Sequence, residues 1–120
     1  MNQALEAGIR LFNTQKYFEA HEALEAVWLN AESEEKIFLH GLIQIAAAFH
    51  HRSRGNAAGF RSLLEKGWKK LEAFGDARDG LDLGDLRRQL QLWRKFQRES
   101  SSPQLPASPP LPRIERTRPS

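Results

Sequence analysis

Cysteine is absent from this 120-residue chain, which removes disulfide frameworks, zinc–thiolate sites, iron–sulfur ligation and thiol nucleophiles together. Any metal would have to be held by His, Asp or Glu. No glycine-rich phosphate loop is present, and no serine stands in a strained nucleophile turn, since Ser33 reads as a helix cap. Long hydrophobic runs are missing as well. The most apolar stretch, Ile37 to Phe49, is broken by His40 and Gln44 and falls short of the roughly 20 residues of a membrane span. The first residues, Met1-Asn2-Gln3-Ala4-Leu5-Glu6, have neither a basic start nor an apolar run of signal-peptide length, so the expected location is the cytoplasm. All six prolines lie beyond Ser100, leaving nothing before them to interrupt a helix.

What is present is charge, unevenly spread. The formal net charge is only +3, but Glu19, Glu22, Glu25, Glu32, Glu34 and Glu35 crowd the first third. The bases follow in two stretches: Arg52, Arg54, Arg61, Lys66, Lys69 and Lys70, then Arg87, Arg88, Arg94, Lys95 and Arg98. Such asymmetry suits a nucleic-acid surface, but solvated faces that attract one another account for it more simply. A nucleic-acid partner is therefore disfavoured.

Hydrophobic periodicity predicts an all-α domain over residues 1–99, with about five helices in a compact antiparallel bundle of helical hairpins. Leu5, Ile9 and Phe12 define the first helix. Tyr17, His21, Leu24 and Trp28 form the stripe of the second, from about Lys16 to Leu29, and this turns His21 toward the core. A third helix, from a Ser33 cap to about Arg54, is apolar on nearly every side and so belongs at the centre. Gly55 ends it and Asn56 caps a fourth, about Ala57 to Phe74, buried through Phe60, Leu63, Leu64, Trp68 and Leu71. A polar loop from Gly75 through Gly80 leads to a fifth, capped by Asp82 with Asp85 and lined by Leu86, Leu90 and Trp93. Residues 100–120, rich in proline, serine and arginine, have few large apolar groups to offset the entropy of ordering, and a disordered tail is expected. Its Pro109-Pro110-Leu111-Pro112-Arg113 run fits a polyproline ligand but is read as part of a solubilising basic tail.

The residues that could carry chemistry concentrate in Tyr17-Phe18-Glu19-Ala20-His21-Glu22-Ala23-Leu24-Glu25. His21 and Glu25, four apart, share a helix face. A zinc-protease helix would need a second His where Glu25 stands, and a ferritin-type di-iron site would need Glu where Phe18 stands. What survives is a looser pocket: His21, Glu25 and Glu22 facing Gln44 and either His50 or His51. Projection at 100° per residue places His40, Gln44 and His51 within about 40° of one another on the third helix, with His50 on another side. A structural polar network, in which His21 and Gln44 find partners in the core, explains the same residues.

Two blocks carry a resemblance: Phe12-Asn13 with Tyr17 to Glu25 and Trp28, and Gly41-Leu42-Ile43-Gln44-Ile45-Ala46-Ala47-Ala48-Phe49-His50-His51-Arg52-Ser53-Arg54-Gly55-Asn56. Over about residues 5–73 the chain is similar to DUF309, a small helical domain family of bacteria and plastid lineages without an assigned activity. The resemblance implies an all-α fold and a motif on Glu19, His21, Glu22, Glu25, Gln44, His51, Arg54, Gly55 and Asn56. His40 is outside that pattern.

The favoured function is a binding module in which His21, Glu22, Glu25, Gln44 and His51, with Arg54 and Asn56 at the mouth, take a small ligand or a protein segment between the second and third helices. One rival is a metal-dependent, hydrolase-like enzyme using His21, Glu25 and a third-helix His. Another is a nucleic-acid or acidic-protein adaptor using the basic helices and tail. The sequence names no cofactor, no catalytic residue and no particular partner, and it leaves homo-oligomerisation open.

Overall fold

The computed structural model of the chain describes residues 3–99 and 108–117. Its elements are α1 (Gln3–Asn13), α2 (Tyr17–Trp28), α3 (Ser33–Ser53), α4 (Ala57–Glu72), β1 (Ala77–Arg78), β2 (Leu81–Asp82) and α5 (Leu83–Arg98). Short connections force successive helices back on themselves, giving the expected antiparallel bundle. The α3 helix, whose middle is largely apolar, lies at the centre, packed against α2 on one side and α4 on the other, while α1 covers α2 and α5 covers α4.

Glycine sets the closeness of the α3–α4 crossing. A Cβ on Gly67 would stand 2.7 Å from Ile45 Cδ1 and 3.0 Å from the Gly41 carbonyl oxygen, and one on Gly41 would meet Leu71 at 3.0 Å. The Gly41 carbonyl is backbone and could give only if the helices moved apart, whereas the ends of Ile45 and Leu71 could swing aside. At the other end of the bundle Phe49 ties four helices together: its ring packs on Tyr17 at 5.6 Å, Phe60 at 5.1 Å and Trp93 at 5.3 Å. Trp93 is a core residue, 1% exposed.

The capping expectations are met at two helices. Asn56 accepts from the Gly59 amide and Asp82 from the Asp85 amide, each at 2.9 Å. Gly55 takes φ +77° and ends α3. Ser33 does not cap: Glu32 occupies that position without a side-chain bond, and Ser33 has φ +54°.

Two further regions differ from the sequence reading. The loop expected from Gly75 to Gly80 contains a tight hairpin, in which Ala77 pairs with Asp82 and Arg78 with Leu81 around Asp79-Gly80. Both turn residues have positive φ, the backbone twist that a two-residue hairpin requires. Part of the expected tail, residues 108–117, is laid across α1, α5 and the hairpin as a strap, with Ile114 only 2% exposed. Side-chain amides act as its pairing edge. Asn13 donates to the Ile114 carbonyl at 2.9 Å and accepts from its amide at 2.7 Å; Gln89 does the same for Arg113 at 2.8 and 2.9 Å. The Trp93 indole donates to the Pro110 carbonyl, Leu81 bridges to Arg116, and the Thr117 amide donates to Gly80. Composition counted few apolar groups, but Leu111 and Ile114 have a ready slot and the backbone between them has partners. The remainder of the expected tail, residues 100–107 and 118–120, lies outside the described residues.

Candidate binding cleft on helix α3

Because α2 and α4 flank α3, a shallow cleft of about 310 Å³ remains with α3 as its floor. His40, Ile43, Gln44 and Ala47 form the floor, His21, Glu25 and Trp28 come from α2, and Leu63 comes from α4. The floor residues recur every three or four positions, which puts them on one face of the helix.

His21 Nε2 stands 2.6 Å from Glu25 Oε1, the pairing expected from their spacing along α2. Its other nitrogen, Nδ1, is buried without a hydrogen-bond partner, and so is Oε1 of Gln44. Gln44 is the one buried polar or charged side chain among the described residues, 9% exposed. Trp28 and His40 make an aromatic end wall with ring centres 5.9 Å apart, and Lys36 Nζ lies 4.5 Å above the Trp28 ring. Burial lowers the pKa of His40 below the usual 6.5, and the nearby Lys70 charge adds to the effect.

The seven residues read from the sequence as a pocket separate in the fold. His21, Glu25 and Gln44 come together. Glu22 points outward, exposed, and does not line the cleft. His51, Arg54 and Asn56 belong to the α3–α4 junction instead: His51 Nδ1 and Asn56 Nδ2 are 3.1 Å apart, and Arg54 is the exposed C-cap residue of α3. Seven residues of helix put His51 roughly 10 Å beyond Gln44, too far to share a small ligand. The histidine that faces α2 is His50, whose ring packs on Phe18 at 5.3 Å. His40, set aside because the family pattern omits it, lines the cleft, as its projection beside Gln44 had indicated.

The two rival functions find less in the fold. Among the described residues no three His, Asp or Glu side chains converge as a metal-binding group, so His21 and Glu25 lack a third ligand. Several bases counted toward an adaptor surface are engaged internally. Arg94 chelates Glu65 through Nε and Nη2 at 2.9 and 3.0 Å and lies over Trp68 at 4.3 Å. Arg87 donates to the carbonyls of Leu71, Phe74 and Gly75 at the end of α4, and Arg52 lies over Trp93.

A larger opening, about 740 Å³, lies between the α2–α3 turn, the hairpin and Arg116. Its Glu35 is held at 2.9 Å by Arg78, and burial together with the neighbouring Asp79 carboxyl raises its pKa. These groups satisfy one another, and no buried orphan polar atom lies among its lining residues.

Comparison with known proteins shows what the chain is similar to. Residues 5–63 match the model of DUF309, a domain of unknown function. Over this segment the chain is similar to that family. Uncharacterized protein YpuF of Bacillus subtilis (strain 168) is 38% identical over 76 residues, which cover 61% of this chain and 44% of that protein. An uncharacterized protein of Aquifex aeolicus (strain VF5) is 32% identical over 81 residues, covering 67% of this chain and 24% of that protein. The chain thus spans less than half the length of these relatives. The DUF309 match includes the cleft's whole floor and α2 wall and ends at Leu63, while α5 and the strap lie outside it. No helix among the described residues is long and apolar enough to cross a membrane.

Proposed function

We propose that this domain is a binding module whose cleft on α3 takes a small ligand or a short partner segment. The observation that carries this reading is Gln44: the one buried polar side chain among the described residues forms part of the cleft floor with its carbonyl oxygen unmatched. A purely structural glutamine would be expected to spend that oxygen on a protein donor, because an orphaned buried acceptor costs about 1–3 kcal/mol. His21 Nδ1 repeats the pattern on the opposite wall. Apolar walls with a few polar groups are the ordinary make-up of a ligand site.

The test is a fragment screen by ¹H–¹⁵N NMR, read at the Trp28 indole and the Gln44 amide, on wild type and on Ala47→Phe, which fills the cleft without touching its polar groups. Binding fragments should shift these signals in wild type and lose the effect in the variant. A screen that yields no cleft binder, or hits indifferent to Ala47→Phe, rejects the reading.

A further inference from the structure

We propose, resting on the binding-cleft reading above, that the occupant is a small, flat, uncharged molecule presenting N–H donors along one edge, as a primary carboxamide or an amino-substituted heteroaromatic ring does.

With His21 Nε2 set against a Glu25 carboxylate oxygen at 2.6 Å, the neutral ring carries its proton on Nε2 and leaves the lone pair of Nδ1 as an acceptor. Gln44 Oε1 is an acceptor too. The two unmatched buried atoms of the cleft residues therefore both ask for donors, one from α2 and one from α3. Both atoms are sealed from solvent while their residues line the cleft, so pairing with an occupant requires the Gln44 and His21 side chains to turn toward it.

Shape and charge narrow the class. Trp28 and His40 offer flat surfaces, Ile43 and Leu63 apolar ones. A cavity of about 150 Å³ holds benzene. The cleft, at about 310 Å³, has room for a ring with a substituent. Charge of either sign is opposed: Lys36 already covers Trp28 and Lys70 lies close enough to His40 to act on it, while the Glu25 carboxylate stands on the α2 wall itself. An organic cation meets the lysines and an anion meets Glu25.

The experiment compares benzamide with acetophenone, which replaces the amide NH₂ by a methyl group of similar size and removes only the donors. Each is titrated into the full chain and followed by ¹H–¹⁵N NMR at the Trp28 indole and the His21 ring nitrogens. Benzamide should bind about tenfold more tightly, the worth of one neutral hydrogen bond. Gln44→Leu, which removes one of the two acceptors, should narrow the difference between the two affinities. Equal affinities in wild type, both localised to the cleft, would overturn the donor-edge inference and leave the binding module standing. If neither compound shifts a cleft signal the inference also fails, and the fragment screen with Ala47→Phe then judges the module by itself.

Discussion

Replacing Gln44 by leucine should make the domain more stable. The side chain is 9% exposed and its Oε1 is buried with no donor, so the native state carries an acceptor that the unfolded chain would hydrate. Relief of that penalty is worth about 1–3 kcal/mol, reduced by whatever mismatch the branched leucine meets beside Ile43 and Ala47. A net gain of about 1–2 kcal/mol follows, which in a domain of this size raises Tm by roughly 4–10 °C. Thermal denaturation followed by circular dichroism and urea unfolding at pH 7.5 measure it, and Gln44→Met, unbranched and adaptable, separates polarity from shape. A loss of 1 kcal/mol or more in both variants would refute the reasoning. It would mean that the oxygen has a donor in the folded protein and that Gln44 belongs to a structural network. A gain in stability would identify Gln44 as a residue kept at a cost to the fold.

Two further outcomes follow from other parts of the structure. Ile114→Ala should cost about 2–5 kcal/mol in urea unfolding, because it empties a core position that the strap fills; a change under about 0.5 kcal/mol would show that the strap is not docked in solution. His40 has a folded-state pKa below its unfolded value of 6.5, so the stabilisation from keeping it neutral is fully present above that value and is lost as pH falls through the folded pKa. Tm measured from pH 7.5 to 5 should fall less steeply in His40→Phe than in wild type, and parallel profiles would contradict the burial of this ring.

The sequence by itself determined the helices and most of their ends. An apolar period of three to four residues needs no tertiary information to be read, and caps such as Asn56 and Asp82 act within their own turn. The same locality made His21 and Glu25 legible as a pair. It also placed α3 at the centre, because a helix apolar on nearly every side has to be surrounded. The assembly of the cleft was decided by tertiary structure. Which of His50 and His51 faces α2 depends on the rotation of α3 against its neighbour, and grouping His51, Arg54 and Asn56 with the pocket ignored that they lie at the end of α3, where they serve the junction with α4. The strap shows the same division. Composition over residues 100–120 registers few apolar groups, whereas docking depends on a slot built from α1, α5 and the hairpin, whose Asn13 and Gln89 amides satisfy a backbone with no regular partner of its own. Local energies are written along the chain. A cleft or a docking slot exists only once separate helices have fixed their distance and rotation, which here Gly41 and Gly67 help to set.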